Sequence, residues 1–334
     1  MPTGPQDYDL ELDRVIDRIK ELRATKVCFQ MPDGLKAYIP RIRRRVEMET
    51  DAVPVFSVDP CFGACDLSRS MPDIGCELIV HLGHSKMLES GKVPVIYVPC
   101  YSNTRIEDLL LERADDIAES SLGLLSSIQH IRELPVLAEI LKKRGHEVYL
   151  GSPGSRTQNP GQILGCNFHA AEDVKEDVDA FVYVGGGDFH PLGVALKTGK
   201  KVYALDPYRR ELRDMTGLAD RTLRKRFAQI EKARDAERFG LLVSTKPGQL
   251  RLREAERYRK DLMGRGREAV ILCSDHLDPE RLVIVEVDAF VNFGCPRIAV
   301  EDVALFPKPV LTPVELDILL GERDWGEYSL DEIA

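Results

Sequence analysis

Residues 289–297 read Ala-Phe-Val-Asn-Phe-Gly-Cys-Pro-Arg, a short apolar run that is broken by Gly294, Cys295 and Pro296. A run of this kind predicts a buried strand that ends at the glycine. Open α/β sheets bind their ligands just beyond the carboxyl ends of their strands. Cys295 is therefore predicted to lie at a ligand site.

Two other cysteines occupy comparable places in the sequence. Cys65 lies in the loop 59–66, directly after one predicted strand, and Cys166 lies in a loop that follows another. The three thiols are far apart along the chain, so only the fold could bring them together. We therefore predict a shared centre at which Cys65, Cys166 and Cys295 meet.

Short apolar runs alternate with helical patterns along the whole chain, which predicts parallel sheets with right-handed crossovers. The pattern occurs three times. We expect an α/β protein with three pseudo-equivalent domains (1–102, 103–212 and 213–334), each a small four-stranded parallel sheet with flanking helices, meeting around a central site. The predicted helices cover 9–23, 36–48, 104–119, 132–144, 217–238 and 250–264. The predicted strands cover 26–34, 53–58, 77–82, 93–100, 122–128, 148–153, 180–184, 201–207, 240–244, 268–275, the apolar run that opens the stretch 289–297, and 309–313.

The charge and the hydropathy narrow the classes of function. The 334 residues carry a formal net charge of −9, which argues against a general binder of nucleic-acid backbones. One basic cluster (Arg221, Arg224, Lys225 and Arg226) is predicted to be a solvated helix face. No run is long and apolar enough to span a bilayer, and the acidic residues 1–13 lack the apolar segment of a secretory signal. We expect a cytoplasmic protein without nucleic-acid or membrane partners.

Disulfides are uncommon in the cytosol, so the eight cysteines are interpreted as buried small side chains, metal ligands or nucleophiles. Structural zinc usually takes closely spaced Cys-x-x-Cys pairs, and the sequence has none. An iron–sulfur cluster suits three cysteines, because an iron without a protein ligand can bind substrate. A nucleophilic Cys–His pair at Cys295 is conceivable, but no base for it is identifiable.

Glycine-rich strand ends supply candidates for substrate binding. Gly185-Gly186-Gly187 lacks the spacing of a dinucleotide loop, but the missing side chains let a ligand approach the backbone closely. His84 and His190 each follow such a strand end, where each could donate to an anionic group or cap its loop. The candidates from these segments are His84, Ser85, Gly186, Gly187 and His190.

Seven short motifs occur in order along the chain. Together they resemble the archaeal diphthamide-synthesis enzymes, the family that begins diphthamide formation on translation elongation factor 2. The resemblance extends from about residue 10 to about residue 320; each motif alone is weak, whereas the ordered set is specific. Phe62 departs from the family pattern, in which many relatives have tyrosine, and this removes a hydroxyl but no ligand. The motifs are Met31-Pro32-Asp33-Gly34-Leu35, Phe62-Gly63-Ala64-Cys65-Asp66, His81-Leu82-Gly83-His84-Ser85, Ile163-Leu164-Gly165-Cys166, Gly187-Asp188-Phe189-His190, Gly294-Cys295-Pro296-Arg297 and Lys308-Pro309-Val310-Leu311-Thr312-Pro313.

The resemblance implies a catalytic [4Fe–4S] cluster held by Cys65, Cys166 and Cys295, one from each domain. Cys61 competes with Cys65 as the ligand, and the family motif favours Cys65. The resemblance also implies S-adenosylmethionine as substrate, with its methionine part near the open iron. The reduced cluster would break the Cγ–S bond, release methylthioadenosine and give a 3-amino-3-carboxypropyl radical. That radical would add to C2 of an imidazole on translation elongation factor 2. A homodimer is suggested as well, whereas the electron donor stays unidentified.

The amino-acid end of such a substrate needs a fixed cation or donor for its carboxylate. Arg297 lies two residues after Cys295, and its planar fork suits a carboxylate. An ion pair with Glu301 or Asp302 is the alternative role for this arginine. Gln249, which follows a Pro-Gly turn, is a second candidate for orienting the substrate.

Two other functions stay open on the sequence. A lyase or dehydratase like quinolinate synthase has a similar threefold α/β architecture and three-cysteine cluster, and its open iron would act as a Lewis acid. A zinc-stabilised scaffold that binds the translation machinery would not be an enzyme. Release of methylthioadenosine, loss of water from a carboxylate substrate, or stoichiometric zinc would distinguish the three.

Overall fold

The computed structural model describes residues 8–89 and 91–333. Within them the strands form three sheets built on parallel pairing and one antiparallel ribbon, β1 (Tyr8–Asp9) with β6 (Tyr101–Ser102). Of the acidic residues 1–13, in which we expect no secretory signal, residues 1–7 lie outside the described part. No helix in the described ranges is long and apolar enough to cross a membrane.

Four parallel strands form the first sheet: β2 (Lys26–Gln30), β3 (Val53–Phe56), β4 (Leu78–Leu82) and β5 (Val95–Val98). Their spatial order is β3-β2-β4-β5. Helix α1 (Leu12–Leu22) buries the apolar face that its spacing predicts. Helix α2 (Ile39–Glu49) begins later than predicted, because a 3₁₀ turn, Asp33–Tyr38, precedes it.

The second sheet departs from the expected four strands. It contains β7 (Ser121–Ser126), β8 (Glu147–Tyr149), β9 (Ala180–Val184), β10 (Lys201–Asp206) and β11 (Glu211–Asp214), in the spatial order β11-β10-β9-β7-β8. The extra strand β11 is antiparallel to β10. The Asp206 carboxylate accepts hydrogen bonds from the N–H groups of Tyr208 and Arg209, and this turn directs the chain back along β10.

The helices around the second sheet also differ from the expectation in three places, of which the first is a single turn, His169–Glu172, that was not predicted. The helix predicted over 104–119 is shorter, because α3 ends at Arg113 and a 3₁₀ turn follows. The helix after β9, which begins at Phe189, was not predicted. The four helices are α3 (Glu107–Arg113), α4 (Leu134–Lys143), α5 (His169–Glu172) and α6 (Phe189–Thr198).

Four parallel strands form the third sheet: β12 (Arg238–Ser244), β13 (Glu268–Ser274), β14 (Ala289–Asn292) and β15 (Val310–Leu311). Their spatial order is β13-β12-β14-β15. The helices are α7 (Thr216–Lys232), α8 (Leu252–Gly264), α9 (Pro279–Leu282), α10 (Pro296–Val300) and α11 (Pro313–Leu319). The expectation that the basic cluster on α7 is solvated is wrong for Arg226, which is 1% exposed and paired with Glu315.

All three sheets arrange their first four strands in the same order: second, first, third, fourth. The predicted α/β architecture of three similar units is confirmed, whereas the boundaries near residues 102 and 212 stay a prediction. Strands β9 and β14 are buried along their whole length. Strands covered on both faces lack alternating polar positions, which explains the continuous apolar runs in the sequence.

Candidate functional site

Loops from all three sheets line one cavity of about 580 Å³. Cys65 contributes from the loop after β3, Cys166 from the loop after β8, and Cys295 from the end of β14. The carboxyl ends of parallel strands place these loops at the same edge of each sheet. The three thiols therefore lie in the wall of a common cavity, and their role as ligands stays a prediction.

Each of these thiols is costly to ionise. Burial raises the pKa of Cys65, raises the pKa of Cys166 to about 11 and raises that of Cys295 to about 12. A Cys65 thiolate would raise the pKa of Cys166 further, and Cys166 and Cys65 do the same to Cys295. Metal ligation requires the thiolate, so a cation bound among the three would offset the burial and the repulsion that raise these pKa values. The set thus fits a cationic metal centre.

Two side chains donate N–H groups toward the sulfurs. Gln249 Nε2 lies 3.2 Å from Cys65 Sγ, and Arg156 Nη1 lies 3.8 Å from Cys166 Sγ. Arg156 is itself fixed, because its Nη2 donates to the carbonyl of Gly248 at 3.0 Å. Gln249, predicted as a substrate residue, therefore contacts a cysteine sulfur, where an N–H donor would stabilise a ligated thiolate.

Gly248 brings the third sheet against the Cys65 loop. A side chain on Gly248 would place its Cβ 2.5 Å from the Cβ of Cys65, so only glycine fits. The Gly248 N–H donates to the Cys65 carbonyl at 3.1 Å. Beside this contact, Lys246 Nζ pairs with the Asp66 carboxylate at 2.7 Å, and both side chains are about nine-tenths buried.

Six of the seven residues predicted to bind substrate line the cavity: Arg297, Gln249, His84, Ser85, Gly186 and His190. Gly187 is not among the lining residues, and its backbone adopts φ +81°. His190 stacks on the Tyr183 ring with centroids 5.7 Å apart, and burial lowers the pKa of His190 to about 4. Ser85 accepts a hydrogen bond from Gln162 at 3.0 Å.

Arg297 forms the ion pair of its alternative role and also lies in the cavity wall, whereas its contact with a substrate carboxylate stays a prediction. Its Nε donates to Glu301 across one turn of α10, and the side chain also lines the cavity. The pair is exposed, with 52% of the Arg297 side chain accessible, and exposed pairs contribute about 0–1 kcal/mol. No hydrogen bond of the two Nη groups is found within residues 8–89 and 91–333, so the fork is available to a ligand.

The other cysteines occupy different surroundings. Cys61 is buried and is not among the residues that line the cavity. Its sulfur lies within 4.8 Å of a ring nitrogen of His81 and of a ring nitrogen of His84, which makes the three residues a candidate metal-binding group. Cys100 does line the cavity, and burial raises its pKa to about 12. Cys28 packs against Cys76 in the first sheet.

Sequence reasoning missed several residues of this cavity. His130 lines it, and its Nε2 lies 3.0 Å from the Tyr208 hydroxyl. Arg156 is not among the lining residues but contacts the Cys166 sulfur from ten positions earlier in the same loop, and no sequence signal marked it. Met87 lines the cavity within 3.7 Å of Arg156. No local motif distinguishes these residues, because their neighbours come from distant parts of the chain.

The chain is similar to proteins of known name over nearly its full length. A model of the family described as "Putative diphthamide synthesis protein" matches residues 31–329. The 2-(3-amino-3-carboxypropyl)histidine synthase of Pyrococcus horikoshii is 37% identical, over 98% of this chain and 94% of that protein. Subunit 1 of the same enzyme from Gallus gallus is 30% identical, over 99% of this chain and 81% of that protein.

A solved structure agrees with these sequence matches. The crystal structure of Dph2 from Pyrococcus horikoshii with a 4Fe-4S cluster superposes with a TM-score of 0.90 at 36% identity, over 97% of this chain and 94% of that chain. The similarity in sequence and the similarity in fold therefore both extend over nearly the whole chain. The chain belongs to the diphthamide synthesis protein family.

Proposed function

We propose that this protein transfers a 3-amino-3-carboxypropyl group from S-adenosylmethionine to C2 of a histidine imidazole on translation elongation factor 2. The enzyme class follows from the relatives: the chain is a 2-(3-amino-3-carboxypropyl)histidine synthase, which acts in the first step of diphthamide biosynthesis. The identity of the group donor and of the acceptor protein belongs to the proposal. A homodimer, a separate electron donor and a cytoplasmic location are further parts of it, supported by the family resemblance.

One observation carries the proposal: three cysteines from three sheets line a single cavity, and two N–H donors point at their sulfurs. A [4Fe–4S] cluster held by Cys65, Cys166 and Cys295 fits this arrangement, since the buried thiols need a cation to ionise. When bound, the cluster would supply one electron to the sulfonium and an open iron beside it. The relative solved with a 4Fe-4S cluster supports the same assignment.

The side chains of the cavity would perform the remaining tasks. The free Nη groups of Arg297 would hold the α-carboxylate of S-adenosylmethionine in a bidentate contact. His190 is neutral and stacked, so it offers a hydrogen-bonding group without a charge. Enclosure between three sheets would exclude water from a reactive radical. The side chains that line the cavity would align S-adenosylmethionine with the acceptor imidazole.

The proposal is tested with anaerobically reconstituted protein. We expect brown protein that, after reduction, converts S-adenosylmethionine to methylthioadenosine and adds the 3-amino-3-carboxypropyl group to elongation factor 2. The adduct is measured by mass spectrometry of the acceptor histidine peptide. Colourless protein after reconstitution, or 5′-deoxyadenosine as the cleavage product, would contradict the proposal. Loss of water from a carboxylate substrate would favour a lyase, and zinc without iron would favour a scaffold.

Replacing Arg297 with lysine tests the carboxylate contact. We expect Arg297→Lys to weaken binding of S-adenosylmethionine by about tenfold or more, because hydrogen bonds to charged groups are worth about 1.5–3 kcal/mol and lysine cannot form the bidentate contact. Anaerobic calorimetric titration measures the affinity, and iron content is expected to stay normal. The matched control is Glu301→Gln, which removes the ion pair but keeps the fork and should leave affinity unchanged. Equal affinities in all three proteins would leave Arg297 with the ion pair alone.

A further inference from the structure

Gln30, the last residue of β2, is oriented by two backbone groups of the loop that follows Cys65. Its Nε2 donates to the Asp66 carbonyl at 2.6 Å, and its Oε1 accepts from the Ser68 N–H at 3.0 Å. A carbonyl can only accept and a backbone N–H can only donate, so these contacts fix which end of the amide is oxygen. The side chain is 3% exposed, and water does not compete for it.

The amide oxygen of Gln30 then determines the protonation of two histidines. His81 Nδ1 lies 3.2 Å from Gln30 Oε1, an acceptor, so Nδ1 carries a proton. Burial lowers the pKa of His81 well below its usual value, so the ring is neutral and Nε2 has a lone pair. His81 Nε2 lies 2.9 Å from His84 Nδ1, which must therefore be the donor. The chain Gln30–His81–His84 leaves Nε2 of His84 without a proton.

This Nε2 is the ring nitrogen of His84 that remains for a ligand, because Nδ1 is engaged with His81. His84 lines the cavity, and within the described residues its ring has no hydrogen-bond partner other than His81. Burial lowers the pKa of His84 to about 4, so the ring is neutral at physiological pH. A neutral ring with Nδ1 protonated cannot donate from Nε2. The sequence-based interpretation that His84 donates to an anionic group is therefore incompatible with this hydrogen-bond chain.

We propose that Gln30 is a positioning residue that, through His81, holds the His84 ring as a hydrogen-bond acceptor for an N–H group of the substrate. This inference rests on the proposed function, which brings two N–H sources to the cavity. One is the α-ammonium group of S-adenosylmethionine, and the other is the imidazole N–H of the acceptor histidine. Both offer the same chemistry to Nε2, and the test separates them.

Gln30→Met tests the chain, because methionine has a similar volume but no acceptor oxygen at this position. His81 would lose its fixed proton position, and His84 would no longer be held as an acceptor. We expect normal iron content and a loss of about tenfold or more either in affinity for S-adenosylmethionine or in KM for elongation factor 2. The first loss identifies the ammonium as the partner, and the second identifies the imidazole.

The control is Gln30→Glu, which as a neutral carboxylic acid keeps a donor for the Asp66 carbonyl and an acceptor oxygen for His81, and in this form should restore most of the lost affinity. Gln30→Met also leaves the Asp66 carbonyl and the Ser68 N–H unpaired. Should it fail to fold or lose its iron, His84→Phe keeps an aromatic ring, removes the acceptor and is expected to show the same loss. The wild-type protein gives an independent measurement, since ¹⁵N shifts of labelled histidines report which ring nitrogen is protonated. Nδ1–H is expected for both His81 and His84.

Three results would overturn the inference. They are an Nε2–H tautomer of His84 in the wild-type protein, unchanged affinity and KM in both Gln30→Met and His84→Phe, and stoichiometric zinc bound through Cys61, His81 and His84. If the wild-type protein cleaves S-adenosylmethionine and both variants keep normal affinity and KM, the role of the hydrogen-bond chain is refuted and the proposed function is not. Failure of the wild-type protein to cleave S-adenosylmethionine refutes the proposed function, and with it the identity of the N–H donor.

Discussion

Replacing Cys65, Cys166 or Cys295 singly with alanine is expected to remove most of the iron and to lower methylthioadenosine release by at least about a hundredfold. Loss of a residue that only supports a ligand typically costs 10–100-fold, and loss of a ligand should cost more. Each of the three is supplied by a different sheet, so none of them can take the place of another. Iron analysis and the visible absorption of anaerobically reconstituted protein measure the first effect, and chromatography of the nucleoside product measures the second.

Two other cysteines provide matched controls for this prediction. Cys61 lies four residues before Cys65 in the same loop, and Cys100 lines the same cavity. Neither is predicted to be a ligand, so Cys61→Ala and Cys100→Ala should keep their iron, at a cost in stability of about 1 kcal/mol. If Cys61→Ala lost the cluster while Cys65→Ala kept it, the ligand of the first sheet would be Cys61.

The parts of the fold that could be predicted are those in which local pattern and burial agree. The apolar run before Cys295 forms β14, and the run over 180–184 forms β9 with the predicted bounds. Strand β11 was missed because its sequence, Glu-Leu-Arg-Asp, is polar and it pairs with one neighbour only. The carboxylate of Asp206, next to a proline, was the available sign of a turn before it.

The candidate site was predictable where chemistry is carried by residue type and position. Cysteines and histidines after strand ends stand out, and His84, His190 and the three cysteines line the cavity. Contacts between residues that are distant along the chain gave no such sign. Gln30 contacts the Asp66 loop and His81, and Gln249 contacts a sulfur 184 residues away, so only the folded chain shows what they touch.

Arg226 belongs to the basic cluster on α7, but its side chain is buried in an ion pair with Glu315. Its guanidinium donates to both carboxylate oxygens of Glu315, at 2.7 and 2.5 Å, and to the carbonyls of Ala299 and Val310. Glu315 is fully buried and also accepts from the Thr312 N–H as part of a capping box. Since Ala299 lies on α10, directly after Cys295, this arginine holds the Cys295 segment against β15.

We expect Arg226→Met to lower the free energy of unfolding by about 3–5 kcal/mol, because it leaves the Glu315 carboxylate buried without its partner. The double variant Arg226→Met/Glu315→Leu should recover only part of that loss, since a buried pair replaced by apolar groups is often neutral but the Ala299 and Val310 carbonyls and the Thr312 N–H lose their partners. Arg234→Met, in an exposed pair with Glu231, is the control and should cost no more than about 0.5 kcal/mol. Urea unfolding of the anaerobic proteins, followed by circular dichroism, measures all three. A cost below about 1 kcal/mol for Arg226→Met would mean that water reaches this pair in solution, and α10 would then need another anchor to hold Cys295 at the cavity.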